Sequence, residues 1–203
     1  MARLAQRAEH PCMPVIGPSP DTGPLKRLVQ RMQRVPWLVD HVILVFDDDG
    51  PIASPAMAIQ SRGMTWYEQA RSQGKHLVVY GSAQVDRDTQ RIRITLYEPG
   101  FGRRQVLAEE IYHIGLRILW HTSPRLFAAV QRWYRRQLAQ GEDPTFSLAD
   151  RFASTMAVAE SGVRTSLPPA VVKSTRKLLS PSSDVPASIM QSVVTHWSQP
   201  LPL

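Results

Sequence analysis

The chain has 203 residues and a formal net charge of +7, set mainly by arginine. That length carries one domain of ordinary size with tails. No stretch approaches the length of a membrane span, no apolar signal core follows Met1, and the single Cys12 excludes an internal disulfide framework and fits a reducing, cytoplasmic setting. The basic balance permits contact with nucleic acid without specifying it, since no paired cysteine–histidine finger or similar motif accompanies it.

Residues 1–23 hold Pro11, Pro14, Pro18 and Pro20 with Gly17 and Gly23, a composition that predicts an extended or disordered leader, with residues 1–20 mobile and dispensable for folding. A helix is expected from Pro24, with Leu25, Leu28, Val29 and Met32 as its apolar stripe and Arg27, Arg31 and Arg34 on a solvated opposite face. Pro36 ends or kinks it. The β-branched run Val42–Phe46 reads as a buried strand, stopped by the acidic turn Asp47-Asp48-Asp49-Gly50-Pro51. Residues 52–63 carry no clear pattern, and Thr65–Gln73 fits a short helix or an irregular crossover.

A second strand is expected at His76–Tyr80, a turn at Asp86–Thr89, and a half-exposed strand where Arg91-Ile92-Arg93-Ile94-Thr95-Leu96 alternates. Pro99, Gly100 and Gly102 break that strand. From Val106 the apolar residues Leu107, Ile111, Ile114 and Ile118 recur at steps of three and four, the period of a helix. On it Glu109 and Glu110 stand four and three residues before His113, so both carboxylates share a side with the imidazole. Acids beside a histidine on a greasy helix are costly to bury without a partner, and a divalent metal is one such partner. The plainer alternative pairs the two glutamates with Arg103, Arg104 or Arg117.

Ser123-Pro124 opens a further helix, with Ser123 as cap, through Phe127, Val130, Trp133, Tyr134 and Leu138 to a stop at Gly141–Pro144. Ser147–Asp150 starts another, bearing Leu148, Phe152, Met156 and Ala159 and closed by Gly162. Ser147-x-x-Asp150 has the form of a capping box, which explains Asp150 without any site. Residues 166–203 are rich in Ser and Pro. Short helices fit Val171–Leu179 and Ile189–Trp197, in an extension expected to stand apart from the core. His121 and His76 read as ordinary surface or core histidines, and Tyr134 as core. Glu110-x-x-His113 is also half of a di-iron bundle motif, but its second copy is missing and the strands argue against a bundle.

Three stretches together resemble a zincin metalloprotease domain, in particular the small gluzincin domain of the anthrax lethal factor type. Glu109-Glu110-Ile111-Tyr112-His113, within Val106–Gly115, matches the family's His-Glu-x-x-His helix except that Glu109 stands at the first histidine. Ser123-Pro124-Arg125 and the aromatic helix after it match the connecting segment. Ala149-Asp150-Arg151-Phe152-Ala153 is similar to the acid-x-Phe-Ala string of the third-ligand helix. The similarity covers roughly residues 25–162.

The resemblance implies an α+β fold, a small mixed sheet on the motif helix, with the domain spanning 24–165. It implies a zinc ion, or another divalent metal, held by Glu109, His113 and Asp150, with Glu110 as the base that deprotonates a metal-bound water to attack a peptide bond. Asp150 is one methylene shorter than the family's usual glutamate, and Ser154 stands where a second glutamate is frequent. Two function classes follow: a metal-dependent peptidase acting on a protein or peptide substrate, or a pseudopeptidase that keeps the fold as a protein-binding module. Glu109, by adding a negative ligand, favours a weakened or inactive centre, because extra carboxylates neutralise the metal charge that acidifies its water.

Overall fold

A computed structural model describes residues 12–18, 23–47, 68, 72–73, 80–97, 104–144 and 146–203. Within them the chain forms a four-stranded mixed sheet and seven helices, a mixed α+β architecture. The expectations at 48–67 and 74–79, including most of the strand at His76–Tyr80, lie outside the described residues, as do 1–11 and 19–22.

The first described segment corrects one expectation. Val15–Ile16 is a strand, β1, and Met13 beside it is buried. Gly17 follows with φ +89, where a Cβ would sit 2.2 Å from the Phe46 carbonyl oxygen, so only glycine allows this close approach. This part of the leader is therefore tied to the sheet by apolar burial and backbone pairing.

Helix α1 (Gly23–Met32) buries its foreseen stripe of Leu25, Leu28, Val29 and Met32. Pro36 does not merely end it. Val35 before the proline is extended (φ −99, ψ 111), as a residue preceding proline prefers, and Pro36 opens a short second helix, α2 (Pro36–His41). The chain then enters β2 (Val42–Asp47), which is buried on both faces along Val42–Leu44, as a strand with parallel neighbours usually is.

Strand β3 (Gly81–Asp86) and strand β4 (Arg91–Tyr97) form a hairpin. The Asp86 carboxylate accepts from the amides of Asp88 and Thr89 and pairs with Arg93, and Gln90 takes the left-handed conformation (φ 54) that brings the chain back. Those contacts, the Thr89 amide first and Arg93 next, hold the Asp86 carboxyl at about 2. The sheet order is β1-β2-β4-β3, parallel except for β3 against β4. The alternation along β4 holds at Arg91 and Arg93. Thr95 and Tyr97 are buried as well, so the wet face ends halfway along the strand.

Helix α3 (Arg104–Thr122) carries the motif residues and is the hub of the fold. It packs on β3, β4 and every later helix. Its buried residues run around the cylinder rather than along one stripe: Ile111, Tyr112, Ile114, Gly115 and Leu116 are all covered. That is the pattern of a central helix rather than of a surface amphipathic one. Helix α4 (Pro124–Ala139) begins with Pro124 at its first position. Ser123 occupies the cap position but its side chain makes no cap bond, since its backbone (φ −142, ψ 71) departs from the usual cap geometry. Helix α5 (Leu148–Ala159) has the complete Ser147–Asp150 capping box.

The largest difference from the sequence reading is at the C-terminus. Helix α6 (Pro169–Leu178) and helix α7 (Ala187–Thr195) do not stand apart. Val171, Met190 and Val193 are wholly buried in the same core as Leu44 and Ile114. Trp37 donates to the Leu178 carbonyl at 2.7 Å and Trp133 to the Ser166 hydroxyl at 2.9 Å, so each indole N–H is satisfied only by the tail. The proline and serine content of this segment marks its loops, while its apolar residues complete the core.

Candidate functional site

The motif residues lie where α3 and α5 pack together, the most extensive helix–helix contact of the fold. His113 and Asp150 face each other across it, with Nε2 3.8 Å from Oδ1. That is an ion-pair distance when the imidazole is protonated, and too long for a hydrogen bond. The other Asp150 oxygen, Oδ2, accepts from the Ser147 amide at 3.3 Å and from its hydroxyl at 2.7 Å. Asp150 thus serves as a helix cap and a site neighbour at once.

Glu110 keeps some residual surface, but protein crowds its carboxyl, and it sits near two other carboxylates. Desolvation first, then the charges of Glu109 and Asp150, push its pKa up to about 8. Above it lies the sheet. A Cβ on Gly81 would come 2.6 Å from Val106 Cγ1 and 3.3 Å from Glu110 Oε1, so the lack of a side chain at Gly81 lets β3 lie directly against this part of α3. Glu109 points along its own helix, where its Oε1 accepts from the Gln105 amide at 3.1 Å.

The structure therefore brings Glu110, His113 and Asp150 into one neighbourhood and turns Glu109 toward Gln105. Among the described residues no three His, Cys, Asp or Glu side chains are gathered closely enough to hold a metal ion, and Glu109, His113 and Asp150 do not form such a group as folded. Of the arginines weighed as partners for the two glutamates, Arg103 lies outside the described residues and the other two bind elsewhere. Arg104 pairs with Glu160, and Arg117 donates to the carbonyls of His196 and Gln199. Tyr134 is buried and donates to the Phe146 carbonyl at 2.7 Å, the role of a core tyrosine.

A second cluster escaped the sequence reading. Glu160, just past α5, receives the Tyr112 hydroxyl at 2.5 Å and is met by Arg31 from α1, Arg104 from α3 and Arg176 from α6. Burial would raise its pKa. The Tyr112 hydrogen bond and the Arg31 charge outweigh that and lower it. Burial, and then that same hydrogen bond, raise the Tyr112 phenol in turn. Four helices meet on this one carboxylate. Arg31, read as a solvated charge, is part of the junction, and no periodicity in the sequence signals it because its partners lie up to 129 residues away.

Comparison of the chain with protein families, with curated proteins and with solved structures finds no match. The fold and the site define the class no further than a mixed α+β domain with an acid-rich, histidine-bearing helix contact.

Proposed function

We propose that the chain is a zincin-like domain of metallopeptidase type whose hydrolytic centre is degraded, and that it works as a protein-binding module. The observation that carries this reading is the conduct of Glu109 and Glu110. The residue at the position of the first imidazole is bonded to Gln105, away from the His113–Asp150 contact. The residue at the position of the general base is desolvated and crowded by Glu109 and Asp150, which raises its pKa while no cation balances the three carboxyls.

The binding role is supported by the sheet edge. The Tyr97 amide donates to the Tyr80 carbonyl, so residues 80, 82, 84 and 86 exchange hydrogen bonds with β4, while Gly81, Ala83 and Val85 direct their backbone groups outward. Among the described residues β3 is an edge strand, and it runs beside Glu110. An extended peptide segment of a partner protein can add to such an edge through its own backbone once the Trp197 indole, which donates to the Ala83 carbonyl, gives way. No helix among the described residues is long and apolar enough to cross a membrane, and the single exposed Cys12 fits a cytoplasmic, reducing setting.

The active-peptidase reading rests on the same carboxylates. Zinc supplies Lewis-acid chemistry and an acidified water where it is bound, and a cation beside Glu109, Glu110 and Asp150 would relieve their mutual repulsion. Zinc titration of the native protein and of Glu109→His, with a quenched peptide library as readout, separates the two. The native chain should bind zinc weakly and leave the peptides uncut. Peptide cleavage by the native chain that is lost in Glu110→Gln overturns the proposal.

A further inference from the structure

The C-terminal segment after α7 lies across α3 and ends on the edge of the sheet and on α4. The Trp197 indole donates to the outward carbonyl of Ala83 in β3 at 3.2 Å, and the Arg117 guanidinium stacks on the Trp197 ring, 4.9 Å from its centroid. Arg117 also donates to the carbonyls of His196 (3.1 Å) and Gln199 (3.2 Å), and Gln131 of α4 donates to that of Pro202 (2.9 Å). Most of these bonds are made to backbone oxygens by side chains of the body, so residues 196–203 are held by a small number of polar contacts and by Trp197 and Leu201 resting on the core.

At the root of this segment two imidazoles face each other, His121 from the last turn of α3 and His196, with ring centroids 5.7 Å apart. Trp120 covers both rings. His196 Nδ1 lies 2.8 Å from the Ser192 carbonyl, which can only accept, so the neutral ring carries its proton on Nδ1. His121 Nε2 is buried and has no hydrogen-bond partner among the described residues. The ionisable groups whose charge bears on His121 are His196 and Arg117, and both are cationic when protonated. From α4 the apolar Phe127 ring stands 6.3 Å from that of Trp120.

We propose that residues 196–203 are a proton-released latch over the outer edge of β3, closed while His121 and His196 are neutral and opened when both become charged beside Arg117. Two unit charges at this separation repel enough in a surface dielectric to shift a two-state equilibrium by at least about tenfold. Burial opposes a charge on His121 in the closed form, and the charges of His196 and Arg117 oppose it further, while the open form exposes the ring to water. Opening would bare the Ala83 carbonyl and the strand edge around it. The latch does not rest on the peptidase-type reading, and its test reads no activity and no metal.

The experiment follows the backbone amide signals of residues 196–203 by NMR in the full chain between pH 8 and pH 5, with the signals of Ile92–Leu96 reporting that the core stays folded. The tail signals should move to sharp, disordered positions as the pH falls, with the open-to-closed ratio rising at least tenfold. His121→Gln, which stays neutral, should keep the tail closed at pH 5, and Trp197→Ala should open it at pH 8. A tail that stays closed in the native chain with both imidazoles protonated overturns the proposal, and so does one that opens equally in His121→Gln.

Discussion

The carboxyl of Glu110 gives a direct test of the site's electrostatics. Its pKa lies at about 8 in the fold, against an ordinary value of 4.5. A raised carboxyl pKa means that the folded state binds the proton more tightly than the unfolded chain does. The fold therefore gains nothing from ionisation, and stability falls as pH rises from about 4.5 to about 8, then levels off. At pH 7 the difference amounts to about 3 kcal/mol, taking 1.36 kcal/mol per unit, and the residual exposure of the side chain makes this a ceiling. Glu110→Gln is close in shape to the protonated acid and never ionises. Urea unfolding of both proteins at pH 5, 6, 7 and 8 isolates Glu110 together with its coupling to Glu109 and Asp150, because titrating residues that do not interact with it are common to the pair and cancel in the difference. The variant should match the native chain at pH 5 and exceed it by about 2–3 kcal/mol at pH 8. Parallel stability curves would show that Glu110 is solvated, and the argument for a desolvated acid beside Asp150 would fail.

Glu109→His restores an imidazole at the first motif position and should strengthen zinc binding by at least about tenfold in calorimetric titration; unchanged binding would mean that this side of α3 does not face a metal site. Gly81→Ala pushes a methyl into Val106, a stiff β-branched side chain, and should lower stability by about 1–3 kcal/mol in thermal unfolding, with no effect expected only if β3 can shift. Glu160→Ala leaves Arg31, Arg104 and Arg176 clustered without their anion and should cost about 3 kcal/mol. Because the Glu160 carboxyl is held below its ordinary value, the native advantage should fade as unfolding is measured at falling pH. Removal of residues 166–203 strips Val171, Met190 and Val193 from the core and the acceptors from Trp37 and Trp133, so cooperative unfolding by circular dichroism should be lost.

The local elements were legible because their causes are local. The stripe Leu25, Leu28, Val29 and Met32 gives α1, the β-branched run Val42–Phe46 gives β2, and Ser147 with Asp150 caps α5, all within a few residues of sequence. Spacing alone also put Glu109, Glu110 and His113 on one helix, since a turn of helix is a fixed 3.6 residues. What spacing could not say is which way each carboxylate turns. Glu109 goes to Gln105, Glu110 goes under Gly81, and only the docking of α5 puts Asp150 across from His113. The fate of the two ends was likewise tertiary. Met13 and Val15 look like loop residues until β2 offers them an edge, and α6 and α7 look like spare helices until the uncovered sides of α3 need apolar partners. The hub helix hides this in the sequence, because burial on every side erases the amphipathic stripe that would have pointed to a single neighbour.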